Sequence, residues 1–126
     1  MDTNCTLYRT ADFIGKRWTL LILLEIYKGE RQTKRYSQIK SSLPQITSKI
    51  LSTRLKELEK EGMVRHSITA ESFPIVSEYT LTKSGEEFVG IIQSMKTWAL
   101  KWNLKNKPCQ SADCRNCPMD DSSFKD

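Results

Sequence analysis

Three cysteines stand close together near the end of the chain, as Cys109-x-x-x-x-Cys114-x-x-Cys117-Pro118, and a fourth, Cys5, stands near its start. This spacing equals that of the first three ligands of the plant-type iron-sulfur pattern, with Cys5 as a candidate fourth, although the surrounding residues are not those of a ferredoxin. Zinc held by the same thiolates is an equal reading, since a Cys-x-x-Cys step is common in such sites. A reversible disulfide is a third. Against all three stands the plain alternative of a disordered polar end. His66 is the only histidine, so a histidine relay or a multi-histidine metal site is excluded within one subunit. No Ser-His-Asp set, glycine-rich phosphate loop or carboxylate pair is present, and the chain does not read as an enzyme.

A second set of side chains has the chemistry of base and phosphate contact: Gln45, Ser48, Lys49, Ser52, Thr53 and Lys56. Gln pairs bidentately with adenine, Lys donates to guanine, and hydroxyls serve base edges or phosphates. Helical spacing over 47–62 gives them a common side. Thr47 is an N-cap residue, Gly62 turns the chain out of the end, and nothing between them is Gly or Pro. At about 100° per residue, Ile50, Leu51, Leu55 and Leu58 gather on one side, and Lys49, Ser52, Thr53, Lys56 and Lys60 on the other. The cationic side is a solvated face of an ordinary amphipathic helix, or a surface for a polyanion. Arg54 falls nearer the apolar side, which suits a structural ion pair as well as DNA.

The elements around this helix decide between those readings. Leu7, Ala11 and Ile14 share one side of a short lead-in helix that Gly15 interrupts. Trp18 to Tyr27 is apolar almost all round, as expected of a central buried helix. The polar stretch Glu30 to Arg35 leads to Ser37, a candidate N-cap for a short helix that turns Ile39 and Leu43 inward and stops at Pro44. Two short helices joined by a tight turn, the second basic on its free side, form a helix-turn-helix. Met63 to Thr69 and Ile75 to Leu81 then read as two strands of a β-hairpin wing. Thr82 caps a last helix with Glu86 and Glu87 in its first turn, where the dipole favours anions. Its stripe of Phe88, Ile91, Ile92, Met95, Trp98, Ala99 and Trp102, with Val89 and Leu100 elsewhere, exceeds what one small domain covers. The expectation is a dimer seam formed with the lead-in helix, with packing on the domain's own core as the alternative.

At 126 residues and 38% hydrophobic content, the chain supports one compact domain, and a second subunit would help it. The net charge of +5 is uneven: residues 109–126 set Arg115 and Lys125 against Asp113, Asp120, Asp121 and Asp126, leaving the basic excess in the body. A basic body favours a polyanion, with nucleic acid ahead of membrane. No signal sequence is evident, and the apolar run from Trp18 falls short of the roughly 20 residues a bilayer span needs. A cytoplasmic protein is expected.

Several segments in order carry a family resemblance: Ile14-Gly15-Lys16-Arg17-Trp18-Thr19, Arg35-Tyr36-Ser37-Gln38-Ile39, Ile46 through Leu58, Pro74, Glu78-Tyr79-Thr80-Leu81-Thr82, Gly85 and Trp98. From about Cys5 to Trp102 the chain resembles the HxlR-type winged helix-turn-helix transcriptional regulators. The resemblance implies a mainly α fold with a small β-hairpin and a homodimer built by the N- and C-terminal helices. It also implies that the helix at Thr47 enters the major groove of each half-site of an inverted-repeat operator in double-stranded DNA. It places Cys5 at the cysteine with which some members sense oxidants or electrophiles, against which stands a merely half-buried small side chain. Lys16 departs from the pattern by standing where a second Gly is common, and His66 where an Arg often follows. The wing tip, Ala70-Glu71-Ser72-Phe73, carries no basic residue.

The expectations are therefore a winged helix-turn-helix domain over 1–104 and an acidic cysteine-containing tail over 105–126. The function expected is a dimeric, sequence-specific transcriptional regulator, a repressor, responsive to oxidants or electrophiles through its cysteines, either Cys5 or a cluster in the tail. Gln45, Ser48, Lys49, Ser52, Thr53 and Lys56 are its DNA contacts, with Lys34, Arg35, Lys40 and Arg65 as further phosphate grips. The rival is a small redox or iron-sulfur/zinc protein, with the cluster at Cys109, Cys114 and Cys117, that uses the winged helix to bind other proteins.

Overall fold

The computed structural model describes residues 2–69, 71, 73–102 and 114–116. Among them are five α-helices: α1 (Thr6–Ile14), α2 (Thr19–Lys28), α3 (Tyr36–Ser42), α4 (Ser48–Lys60) and α5 (Lys83–Trp102). Three strands, β1 (Thr33–Arg35), β2 (Val64–Thr69) and β3 (Val76–Leu81), form an antiparallel sheet in the order β1-β3-β2. The expected hairpin is thus the larger part of a three-stranded sheet. β1 escapes sequence reading because its three polar residues carry no apolar alternation. It is held by pairing instead, with Thr33 opposite Thr80 and their hydroxyls 2.9 Å apart.

The core is a single cluster in which α2 supplies Ile22, Leu23 and Ile26, α4 supplies Leu51, Leu55 and Leu58, and Ile39, Ile46, Val64, Tyr79, Leu81 and Val89 close the sides. Burying a Leu or Ile side chain contributes about 1.5–3 kcal/mol, so the three buried leucines of α4 dominate its hold on the core. One expectation needs correction. α2 is amphipathic rather than buried all round: Leu21 is 47% exposed, while the acidic Glu25 lies inside. On α5, Val89 and Gly85 are the buried positions, so the side next to the predicted stripe meets the core. Phe88 and Ile92 pack at its margin, and Ile91, Met95, Trp98 and Trp102 remain exposed.

The joints follow from local chemistry. The Thr47 hydroxyl accepts from Ile50 N at 3.2 Å and caps α4 as expected. At the other end Gly62 takes φ +76°, a conformation costly to any residue with a Cβ, which lets Met63 N reach Leu58 O at 3.0 Å and start β2. The Thr82 hydroxyl donates to Gly62 O at 2.6 Å and accepts from Gly85 N at 3.3 Å, joining the exit of α4 to the entry of α5. α3 starts two residues earlier than expected: Arg35, not Ser37, is its N-cap, because Gln38 Oε1 reaches back to accept from Arg35 N at 2.9 Å. No helix of the described residues is long and apolar enough to cross a membrane.

Candidate nucleic-acid interface

α4 turns Leu51, Leu55 and Leu58 inward, so its other side faces out by default. Ser48, Lys49, Thr53 and Lys56 are exposed there, and Gln45 is exposed in the turn just before it. Ser52 differs: it is half-buried, with its hydroxyl 3.2 Å from the phenol of Tyr36. That phenol donates to Ser48 O at 3.1 Å. One aromatic hydroxyl of α3 therefore meets the first turns of α4 at two points and fixes the angle between the two helices. Sequence reading missed this role of Tyr36, since no short-range pattern links it to Ser48 and Ser52. The Thr53 hydroxyl donates to Lys49 O at 2.8 Å, which leaves its oxygen outward as an acceptor.

The peripheral cations divide. Arg35 and Arg65 are exposed, Arg65 on β2 opposite Thr80, and Lys40 is half-buried. Lys34 is turned inward onto the buried Glu25, Nζ to Oε2 3.2 Å, where Lys28 approaches the other carboxylate oxygen at 3.5 Å. A carboxylate removed from water needs such cations, so Lys34 serves the α2–β1 contact rather than a phosphate. Arg54 makes the structural ion pair allowed for it: its guanidinium donates to Glu57 Oε1 at 2.9 Å and to Arg17 O at 3.2 Å. Lys16 also pairs with Glu57. The hydrogen bond from Lys16, reinforced by Arg54 and opposed by partial burial, holds the Glu57 carboxyl below its usual range.

On the wing, the His66 ring stacks on Tyr79 at 4.3 Å between centroids, and its Nε2 lies 2.6 Å from the Ser77 hydroxyl. Burial pushes the Tyr79 phenol up. Glu71 and Phe73 are exposed at the tip.

Cys5 is a half-buried free thiol at the N-cap of α1, and its carbonyl accepts from Arg9 N at 3.0 Å. Cys109 and Cys117 lie outside the described residues. Cys114 is a half-buried free thiol that opens a short 3₁₀ turn, Cys114–Asn116, in which the Arg115 guanidinium lies 4.3 Å from the Tyr27 ring centroid of α2. No group of three or more potential metal ligands is assembled among the described residues.

This geometry agrees with independent likenesses. A family model described as HxlR-like helix-turn-helix matches residues 13–107. The HTH-type transcriptional regulator YvaP of Bacillus subtilis is 36% identical over 94 residues, covering 75% of this chain and 83% of its own. YodB, an HTH-type transcriptional regulator of the same species, is 35% identical over 99 residues, covering 78% of this chain and 85% of its own. The reduced form of YodB superposes with a TM-score of 0.68 at 32% identity, over 81% of this chain and 97% of that one. The redox regulator HypR in its oxidised form superposes with a TM-score of 0.67 at 30% identity, over 77% and 96%. The chain belongs to the HxlR-like helix-turn-helix family and is a transcriptional regulator built on a winged helix.

Proposed function

We propose that the protein acts as a homodimeric, sequence-specific DNA-binding repressor that sets one α4 into the major groove at each half of an inverted repeat. The observation that carries this reading is the outward side of α4. Lys49, Thr53 and Lys56 stand exposed on a helix whose opposite side is sealed by three leucines, with Gln45 and Ser48 exposed at its start. Gln45 and Lys49, nearest the front, are the base readers, with Ser48 and Thr53 beside them, while Lys56, Arg35 and Arg65 neutralise phosphates. Ser52 contributes by holding Tyr36 more than by touching a base, and Lys34 is left out.

Pairing of two copies is supported by the exposed apolar side chains of α1 and α5, among them Leu7, Ile91, Met95, Trp98 and Trp102. Repression needs no more than occupancy of the operator. Solved structures of YodB include its reduced and diamide-treated forms, and one of HypR is its oxidised form. Here Cys5, at the N-cap of the seam helix α1, is the thiol through which oxidation or alkylation weakens DNA binding.

The test is binding to an inverted-repeat duplex selected by the protein from a random pool. Lys49→Ala with Lys56→Ala is expected to reduce affinity and to lower the dependence of log K on log salt by about 2, one phosphate or groove cation each. Retention of wild-type affinity and slope would remove α4 as the groove element. Cys5→Ser is expected to bind this duplex normally and to lose any release by diamide, and an unchanged response would remove Cys5 as the sensor.

A further inference from the structure

The flank of α4 turned away from the proposed groove surface meets the link between α1 and α2. There Glu57 pairs with both Lys16 and Arg54, Arg54 Nε donates to the carbonyl of Arg17, and the Arg17 guanidinium lies 4.8 Å from the Trp18 ring centroid. Trp18 has φ +82°, a conformation that costs roughly 1–3 kcal/mol for a residue with a side chain and persists only where its surroundings fix it. The link from Gly15 to Trp18 is thus fastened to α4 by charged, directional contacts. The leucines of α4 fix where the helix sits, but apolar contact is non-directional and sets its angle less closely. Glu57 and Arg54 hold that angle relative to the link, and α1 precedes the link directly.

We infer that Glu57, clasped by Lys16, is a positioning residue that sets the angle between α4 and the seam helix α1, and so determines which half-site spacing the paired protein accepts. This rests on the reading of α4 as the groove element of a two-fold pair. With half-sites one turn apart, each α4 stands roughly 17 Å from the dyad, so a tilt of about 10° moves it by about 3 Å, close to one base-pair step. A glycine at position 16 has no side chain to reach Glu57. The clasp therefore belongs to a chain with Lys16.

Full-length wild type, Lys16→Met, Glu57→Gln, the double variant and Lys49→Ala are titrated against the selected duplex and against versions with one base pair inserted or removed between half-sites. Wild type is expected to discriminate against altered spacing by about tenfold or more, and each single variant by about twofold. The double variant should match Glu57→Gln, because once Glu57 is neutral Lys16 has no ion pair left to lose. A residue that only stabilises the fold would weaken binding to all three duplexes alike and keep the spacing ratio. That result, or an unaltered ratio in both single variants, overturns the inference. Should Glu57→Gln fail to fold, Lys16→Met, which leaves the Arg54–Glu57 pair in place, decides by the same ratio. Weak binding by Lys49→Ala beside an intact ratio in the clasp variants overturns this inference alone. Undiminished binding by Lys49→Ala overturns the groove reading and this inference with it.

Discussion

Tyr36 and Glu57 are single side chains of no evident function in the sequence that make directional contacts to α4, the helix proposed to enter the groove. The Tyr36 phenol holds Ser48 and Ser52 from α3. Tyr36→Phe keeps the ring and deletes both hydrogen bonds, at a cost of about 1 kcal/mol in stability. Operator affinity should fall with an unchanged salt slope, because no phosphate contact is lost, and a fluorescence titration across salt concentrations checks both. Glu57 makes a prediction about pH. Its carboxyl is held below the usual carboxylate range by Lys16 and Arg54, with Arg9, Asp12, Lys60 and Glu61 bordering the same recess. A carboxyl whose folded value is depressed contributes stability above its unfolded value and loses it as pH falls through the folded one. The stability gap between wild type and Glu57→Gln, at most about 1 kcal/mol for so solvated a pair, should be full at neutral pH and close in the acid range below about 4.5. Urea titrations from pH 7 to pH 3 would show it.

The elements differ in how plainly the sequence announces them. α4 was legible from end to end, since Thr47, the spacing of Leu51, Leu55 and Leu58, and Gly62 all specify the same helix. Thr47→Ala should therefore destabilise the protein by about 1 kcal/mol, and Leu55→Ala by about 2–5 kcal/mol, measured as shifts in urea midpoint at constant slope. β1 was illegible because Thr33, Lys34 and Arg35 become a strand only by pairing with residues distant in sequence, Thr80, Tyr79 and Glu78. The same cause misplaced Lys34: nothing in a run of polar residues tells which lysine will turn inward. Ser37 looked like the cap of α3 by residue type, but Gln38 provided the side chain that reaches back. On α5 the apolar surplus was legible and its orientation was not, since Val89 lies beside the stripe and the choice of inner side depends on how Gly85 seats against Met63 O. Of the proposed groove set, the exposure of Lys49, Thr53 and Lys56 follows from helical period alone, whereas the partial burial of Ser52 required α3 to be in place.

In the whole molecule, basic charge and unsatisfied apolar surface are carried on different elements, α4 and α5. Trp98 and Trp102, 59% and 67% exposed, are large rings to leave in water. Trp98→Glu should shift the protein toward monomer in sedimentation and weaken operator binding far more than binding of a single half-site. Equal losses on both duplexes would count against a seam at α5. A different consequence follows from Thr82, whose one hydroxyl bridges Gly62 O and the amide of Gly85. Because that bridge lies where α4, the wing and α5 meet, the three cannot loosen independently at their common root. The amides of Met63 and Gly85 should exchange with deuterated solvent through one shared opening, and Thr82→Val, which keeps the shape and deletes the bridge, should speed both by a similar factor.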